Sequence, residues 1–503
     1  MGLDKDLYSR QQARDLAKKA HEAQKRWAEA TQEQVDRVVE EVVMAGAKAA
    51  RRLAEMAVEE TRMGVVEDKV VKNLLATKVL GDFIRDMKTV GVINEDPVKK
   101  ILEIAEPVGV IAGITPVTNP TSTVLYKAII ALKARNAIVF SPHPRAAKCS
   151  YEAAQIAHEA AIKAGAPEGI IGCIETPTLE GTQELMSHPD VSFVLATGGT
   201  SLVRAAYSSG KPAIGVGPGN VPAYIERTAD VEQAVRYIIT SKTFDNGIVC
   251  ASEQHVITEN VIKEEVVKAL VKYGAFFVDG EQKKRLESVV IRGGGMNPEV
   301  VGQPATKIAK LAGIEVPPET KVLVVPLSGV GPEEPLSGEK LCPVLGFFTV
   351  EDWEEACKLC ISLLQYMGMG HTLAIHSRNE AVIMEFALRK PIARIICNSP
   401  STHGAVGLTT GLAPALTLSC GAMGGSSTAD NVTPYHLINI KRLSYGLKKP
   451  EELDLGTEKA EFRKEDVEVI VQEVLRRTSG KCSKELESIV VETLKRLACA
   501  KQS

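Results

Sequence analysis

Short runs of β-branched and other apolar residues alternate with helical stretches of roughly 10 to 18 residues along most of this 503-residue chain. That alternation is its strongest constraint. Pro107-Val108-Gly109-Val110-Ile111-Ala112-Gly113-Ile114, closed by Thr115-Pro116, reads as a buried strand. A helix over Thr121 to Lys133 follows, then a strand at Ala137 to Phe140 and a helix from Ala146 to Ala164. Strands at Ile170 to Ile174 and Val191 to Ala196 complete the first series. Strands and helices in alternation join in parallel through crossovers, which predicts an α/β fold with a parallel sheet covered on both faces. The pattern resumes after Cys250, with strands near Val322 to Pro326, Thr372 to His376 and Arg394 to Asn398. A second α/β domain is therefore expected, its boundary falling between Asn220 and Asn246.

The two ends differ from this middle. From Leu7 to about Lys78 the chain is rich in Ala, Glu and Lys, with apolar residues such as Val38, Val39, Val42 and Val43 at helical spacing. A packed helical layer with solvated charged faces is expected there. Residues 448–463 are polar and linker-like. Beyond them Val467, Ile470, Val471, Val474 and Leu475 share one helix face, and Leu486, Ile489, Val490 and Leu494 repeat it nineteen residues on. Ser479-Gly480-Lys481 reads as the stop between two amphipathic helices.

Composition narrows the function. Sixty basic against sixty-three acidic side chains give a formal charge of −3, without the basic excess of a nucleic-acid or anionic-membrane binder. No apolar run approaches the roughly 20 residues of a membrane span. The start, Met1-Gly2-Leu3-Asp4-Lys5-Asp6, lacks the apolar run of a secretory signal. Ten scattered cysteines read as reduced thiols, so a cytoplasmic protein is expected.

Several motifs carry candidate chemistry. Thr197-Gly198-Gly199-Thr200 follows a strand and opens a helix, where free N–H groups favour phosphate. Gly215-Val216-Gly217-Pro218-Gly219-Asn220 looks like a dinucleotide fingerprint but lacks its third glycine, which falls at Asn220. Cys250, in Phe244-Asp245-Asn246-Gly247-Ile248-Val249-Cys250, follows a tight polar loop fit to present a thiol. Cys357 and Cys360 lie on an amphipathic helix with no second pair nearby, which favours core packing over zinc. No metal ligand set is expected. His371 and His403 sit in glycine-rich loops as general-base candidates, against the commoner packing role.

Taken in order, these segments resemble the CoA-acylating branch of the aldehyde dehydrogenase superfamily over roughly residues 10 to 445. The match includes Glu106-Pro107-Val108-Gly109-Val110-Ile111, Thr118-Asn119-Pro120-Thr121-Ser122-Thr123, Ser141-Pro142-His143-Pro144-Arg145-Ala146, Phe244 through Glu253, and Glu339-Lys340-Leu341. The closing run from Leu416-Thr417-Leu418 to His436-Leu437-Ile438-Asn439 belongs to it too. The chain is similar to the aldehyde dehydrogenase half of bifunctional aldehyde–alcohol dehydrogenases, and no iron-dependent alcohol dehydrogenase half is expected in it.

The resemblance implies an aldehyde dehydrogenase fold of two doubly wound parallel-sheet domains and a β-arm that builds homodimers or homotetramers. The expected layout is a helical layer and dinucleotide-binding domain over 1–225, a catalytic domain over 226–430 and the arm over 431–447. The linker at 448–463 and the helical tail at 464–503 follow. It also implies Cys250 as nucleophile, Glu339 on the nicotinamide ribose, and Thr197, Gly198, Gly199 and Thr200 as the pyrophosphate turn, with Gly217 and Gly219 beside the cofactor. Asn119 lies one residue out of register with the oxyanion-hole asparagine of hydrolytic members. Ser141 and Pro144 replace the usual adenine-ribose lysine and glutamate, with Ser141 and Pro142 at that contact. This leaves NAD against NADP open, with Arg145 near for a 2′-phosphate.

Hydrolytic members carry a general-base glutamate at the place of Gly215 or Val216, neither of which takes a proton. A thioester on Cys250 would then await another nucleophile, coenzyme A, deprotonated with help from His371. The expected reaction is a short aldehyde, such as acetaldehyde, plus CoA and NAD⁺ to acyl-CoA and NADH. Succinate semialdehyde and sulfoacetaldehyde are the alternative substrates, and a hydrolytic enzyme the alternative class. The tail over 464–500 resembles peptides that load enzymes into bacterial microcompartments, with shell or cargo proteins as partners; packing on its own subunit is the alternative.

Overall fold

The computed structural model describes residues 4–453, 464–478 and 483–500. Residues Met1 to Leu3, the 454–463 part of the linker and the Ser479-Gly480-Lys481 stop lie outside the described residues. Two compact units emerge, one of Met1–Glu95 with Leu102–Leu443, the other of Asp96–Ile101 with Ser444–Ser503.

The first unit opens with α1 (Lys5–Trp27), α2 (Gln32–Lys48), α3 (Ala50–Thr61), α4 (Val66–Leu74) and α5 (Leu80–Ile84). Ala13, Ala17, Ala20 and Trp27 recur every turn or two along α1 and are buried. At the start of α2, Thr31 Oγ1 accepts from Gln34 N at 3.3 Å, and the Gln34 side chain accepts from Thr31 N at 2.8 Å. One helix departs from the expected solvated charged face: α4 buries Lys69, Lys72 and Asn73.

Strands β1 (Gly91–Asp96) and β2 (Ile101–Pro107) precede β3 (Val110–Thr115), α6 (Pro120–Lys133), β4 (Ala137–Pro142), α7 (Ala147–Lys163) and β5 (Ile171–Cys173). Then come α8 (Leu179–Ser187), β6 (Phe193–Thr197), α9 (Thr200–Tyr207) and β7 (Ala213–Val216). Five of these strands form a sheet in the order β5-β4-β3-β6-β7, every neighbouring pair parallel. Pro120 opens α6, where its missing N–H costs no helix bond. Every α6 side chain is buried, so this helix is core throughout.

The chain then builds a second sheet from β8 (Val221–Ile225), β9 (Glu253–Glu259), β10 (Ala275–Phe277), β13 (Val322–Pro326), β14 (Val344–Val350), β15 (Gly370–His376) and β16 (Ile392–Cys397). A small hairpin, β11 (Ile291–Arg292) with β12 (Gly295–Met296), stands apart from it. The order is β10-β13-β14-β9-β8-β15-β16, again parallel between neighbours. Two apolar clusters cover this sheet, one around Leu323, Val344 and Phe386, the other around Val235, Val256 and Leu345. β8 pairs with β9 and β15, so the chain passes from one sheet to the other at 217–220, before the expected Asn220-to-Asn246 interval and before residue 225. β17 (Ile438–Ser444) joins β1 and β2 in a three-stranded sheet whose Ile440 and Leu443 are exposed.

In the second unit the helices Lys464–Thr478 and Ser483–Ala500 pack on each other. Ile489 and Thr493 are buried, while Val469, Val471 and Val491 are exposed. No helix among the described residues is long and apolar enough to cross a membrane.

Candidate active site

The order of the five-stranded sheet reverses between β3 and β6, and a cleft of about 590 Å³ opens at the carboxyl ends of β3, β4 and β6. That is where open parallel sheets hold ligands. Ile114, Ser141 and Thr197 reach it from the strand ends, and Cys250 and Glu339 come from loops of the second sheet.

Cys250 is presented by a strained turn. Asp245 (φ 51°) and Asn246 (φ 54°) both occupy the left-handed region, followed by Gly247 (φ 72°). Such residues persist only where their surroundings hold them. The Asp245 N–H donates to Asp68 Oδ2 at 2.7 Å, and Asn246 Nδ2 donates to Gly302 O at 2.9 Å. Cys250 is part-exposed on the cleft. Burial, then the neighbouring Glu339 and Cys420, push its thiol up to about 12, so it rests protonated at neutral pH.

The Glu339 carboxylate accepts the Gly219 N–H at 2.8 Å. Burial pushes it up to about 7, which makes it able both to take and to release a proton near neutrality. Its loop is pinned from inside by the fully buried Lys340, whose Nζ donates to Leu336 O and Gly338 O at 2.7 Å.

His371 lies next to the Cys250 loop, both packing against Gly219. It does not line the cleft; its ring is fully buried behind Gly219. Nδ1 lies 2.9 Å from Thr372 Oγ1, and burial with the nearby Arg394 charge drives the ring down to about 3. His403 is likewise pushed down by burial, and its ring sits tilted against Phe244, centroids 4.7 Å apart.

Thr197, Gly198 and Gly199 line the cleft as expected, with Ser141, Pro142 and Gly217. Thr200, the first residue of α9, does not; Ser201 and Leu202 line it instead. Gly219 lies behind the wall, against the Cys250 backbone. A β-carbon at Gly199 or Gly217 would meet open space, so both strips of backbone can be approached closely. That cradle, beside the first turn of α9, fits a dinucleotide. The Ser141 hydroxyl is 2.7 Å from Thr182 Oγ1, and Arg145 Nη2 donates to Thr61 O at 3.4 Å.

One group was missed in the sequence. Lys72 Nζ donates to Asn119 Oδ1 at 2.6 Å, and Lys69 Nζ donates to Thr118 O at 3.0 Å. Both ammonium groups also pair with Asp245 Oδ2, Lys69 at 2.9 Å. Thr118 and Asn119 line the cleft with Cys250. Two lysines three apart on a helix are ordinarily a solvated face, and only the spatial neighbour Asp245 distinguishes them.

Comparison with known proteins agrees with this architecture. The bifunctional aldehyde-alcohol dehydrogenase of Escherichia coli K12 is 43% identical over 434 residues, which are 85% of this chain and 49% of that protein. The chain thus spans about half the length of the curated aldehyde–alcohol dehydrogenases it matches. The crystal structure of an acetylating aldehyde dehydrogenase from Geobacillus thermoglucosidasius is 51% identical, with a TM-score of 0.88, covering 89% of this chain and 99% of that one. A propionaldehyde dehydrogenase from Rhodopseudomonas palustris with bound propionyl-CoA shares 29% identity and a TM-score of 0.77, over 86% and 94%. The aldehyde dehydrogenase family profile matches residues 6–287. A cleft at the sheet switch point, a loop-borne cysteine on it and relatives of this similarity place the chain in the aldehyde dehydrogenase family.

Proposed function

We propose that this protein oxidises a short, neutral aldehyde and passes the acyl group to coenzyme A: aldehyde + CoA + NAD⁺ gives acyl-CoA + NADH + H⁺. One observation carries the reading. Glu339 is the single carboxylate lining the cleft among the described residues, and of Gly215 and Val216, where hydrolytic relatives keep their base for water, Val216 lines it and neither takes a proton. The acetylating relative supports the same class.

Cys250, as thiolate, attacks the aldehyde carbon. The Cys250 N–H and Asn119 stabilise the oxyanion. The dinucleotide in the cleft supplies the hydride acceptor. The thioester left on Cys250 is attacked by the CoA thiolate, and its collapse returns the Cys250 thiolate. The protons of both thiols need a local acceptor, and Glu339 fits that task. Thr197 to Gly199, Gly217, Ser141 and Pro142 form the dinucleotide's bed.

No lysine or arginine lines the cleft among the described residues, and its one histidine, His143, is pushed down by burial and the Arg145 charge, which disfavours anionic succinate semialdehyde or sulfoacetaldehyde. This supports acetaldehyde or a similar small aldehyde. The engagement of Arg145 with Thr61 supports NAD over NADP. The exposed Ile440 and Leu443 on β17 support a homo-oligomer built through that arm. For the tail we assign docking to microcompartment proteins, on the amphipathic pair at Lys464–Thr478 and Ser483–Ala500.

The test is NADH formation over a panel of short aldehydes with and without CoA. Without CoA, a burst of about one NADH per site should stall. Sustained turnover to free acid without CoA would sink the acylating reading.

A further inference from the structure

The buried charges beneath the cleft tie the nucleophile's turn to the segment facing it. Asp245 has no exposed surface, and Lys69 and Lys72 are 2% and 3% exposed. Asp245 Oδ1 accepts from Val65 N at 2.6 Å, while Oδ2 holds both lysines. Asp68 closes the group through the Asp245 N–H. Gly64 has no room for a side chain, because a β-carbon there would lie 1.9 Å from Asp245 Oδ1. The turn between α3 and α4 is thus moulded around this one carboxylate.

Lys72 reaches past Asp245 to Asn119. A side-chain amide carries one acceptor oxygen and one NH₂, and either face fits the same space. An ammonium has only donors. Whichever amide atom meets Lys72 must therefore be the oxygen, and Oδ1 meets it at 2.6 Å. Nδ2 is left on the other side, one of its hydrogens directed to Thr118 Oγ1 at 3.2 Å. Asn119 makes no cap bond to α6 that would fix the amide otherwise.

We infer that Lys72, held by Asp245, is a positioning residue that fixes the Asn119 amide with its N–H rather than its carbonyl toward the oxyanion formed on Cys250. The inference rests on the acylating reading above, which supplies that oxyanion. A flipped amide would set a carbonyl dipole against the developing charge, so the cost of losing Lys72 falls on the chemical step. The charged groups facing Lys72 are Asp245 and Asp68, with Lys69 on the same helix. Asp245 has a second consequence: the strained turn that leads to Cys250 and the Asn119 segment share one anchor, so the two sides of the reacting carbon are located together.

A double-mutant cycle tests this with the full-length protein. Lys72→Met should lower kcat about a hundredfold, the scale of losing one oxyanion donor, with KM for aldehyde changed by less than about threefold. Asn119→Ala should do the same, and Lys72→Met/Asn119→Ala should be no worse than Asn119→Ala alone. Lys72→Arg, which still donates to the amide oxygen, should recover most of the loss. The rate at which iodoacetamide alkylates Cys250 should stay within about twofold in Lys72→Met, because the thiol's own surroundings are unchanged. Lys72→Gln serves if the methionine variant does not fold; its neutral amide can itself flip, so it should fall between Lys72→Met and Lys72→Arg. Additive losses, full activity in Lys72→Met, or no rescue by arginine would overturn the inference while leaving the acylating reading intact. A wild type that makes no NADH from any short aldehyde with CoA overturns both.

Discussion

A β-carbon on Gly219 would lie 2.2 Å from the carbonyl oxygen of Cys250, while the Gly219 N–H donates to Glu339 at 2.8 Å. One backbone position thus touches the nucleophile's main chain and orients the carboxylate across the cleft.

Gly219→Ala should cut kcat/KM by more than about a hundredfold, since it displaces both groups, while the overpacking costs only about 1–3 kcal/mol of stability. Steady-state kinetics paired with guanidinium denaturation separates the two effects. Gly217→Ala is the control, because its β-carbon meets no atom within 4 Å, and it should fold as well as wild type. Near-normal kcat/KM in Gly219→Ala would mean that the loop has slack the packing does not indicate.

Cys250→Ser should abolish aldehyde oxidation. A hydroxyl is a far weaker nucleophile, and its proton is held too tightly for a carboxylate such as Glu339 to remove as it does a thiol's. Cys357→Ser and Cys360→Ser should keep most turnover, because both thiols are buried on a helix of the second sheet. Peptide mapping after iodoacetamide inactivation decides the matter: loss of activity with Cys250 unlabelled would refute its assignment.

How much of this could be read from the chain follows from physical causes. β3, β4, β13, β15 and β16 declare themselves as apolar runs because both sheet faces are covered. β9 does not, since its buried Glu253–Glu259 segment includes Glu253, Gln254, His255, Thr258 and Glu259, whose partners, such as Ser401 for Glu253 and Asn220 for His255, are distant in sequence. β8 is masked by Pro222, tolerated because the pairing with β9 is irregular between Val221 and Pro222. Cys250 and Glu339 were legible because motifs preserve local loop chemistry. Lys72 and Asp245 lie more than 170 residues apart, and no pattern in either segment announces their pairing. The surroundings of His371 were illegible for the same reason: nothing in its glycine-rich loop announces that Gly219 packs against its ring.

Burial pushes Glu253 up to about 7 from the usual carboxylate range. Its Oε1 accepts the Ser401 N–H at 2.9 Å, and Oε2 has no hydrogen-bond partner among the described residues. The folded state therefore holds a proton that the unfolded chain has released between pH 4.5 and 7. Stability from this group is present below that window and is lost as pH rises through it, at a limiting slope of about 1.4 kcal/mol per pH unit. Glu339, raised in the same way, adds a second slope. Glu253→Gln keeps the oxygen that faces Ser401 and removes the titration, so its stability should fall less steeply than wild type between pH 5 and 7. Parallel curves for the two proteins would show that Glu253 ionises without penalty.

The last expectation concerns the tail. Among the described residues, those lining the cleft run from Ile114 to Leu418. The helices Lys464–Thr478 and Ser483–Ala500 bury Ile489 and Thr493 in packing on each other, and Ile470 and Val474 are only part-exposed. The Val467 side chain lies outside the described residues. The apolar face expected from the sequence is therefore split: Ile470 and Val474 turn partly inward, while Val471 and the neighbouring Val469 stay exposed. Val471 with Leu475, four residues on and also exposed, keeps one apolar strip of the kind that helix-in-groove docking uses. Deleting residues 464–503 should leave CoA-dependent NADH formation within about twofold of full length, since no cleft group is removed. The same deletion should abolish co-sedimentation with microcompartment shell proteins, and Val471→Glu/Leu475→Glu should weaken it in the full-length chain. A truncated protein with a lowered melting temperature or a smaller oligomer would show instead that the tail braces the enzyme, and the docking role would fall.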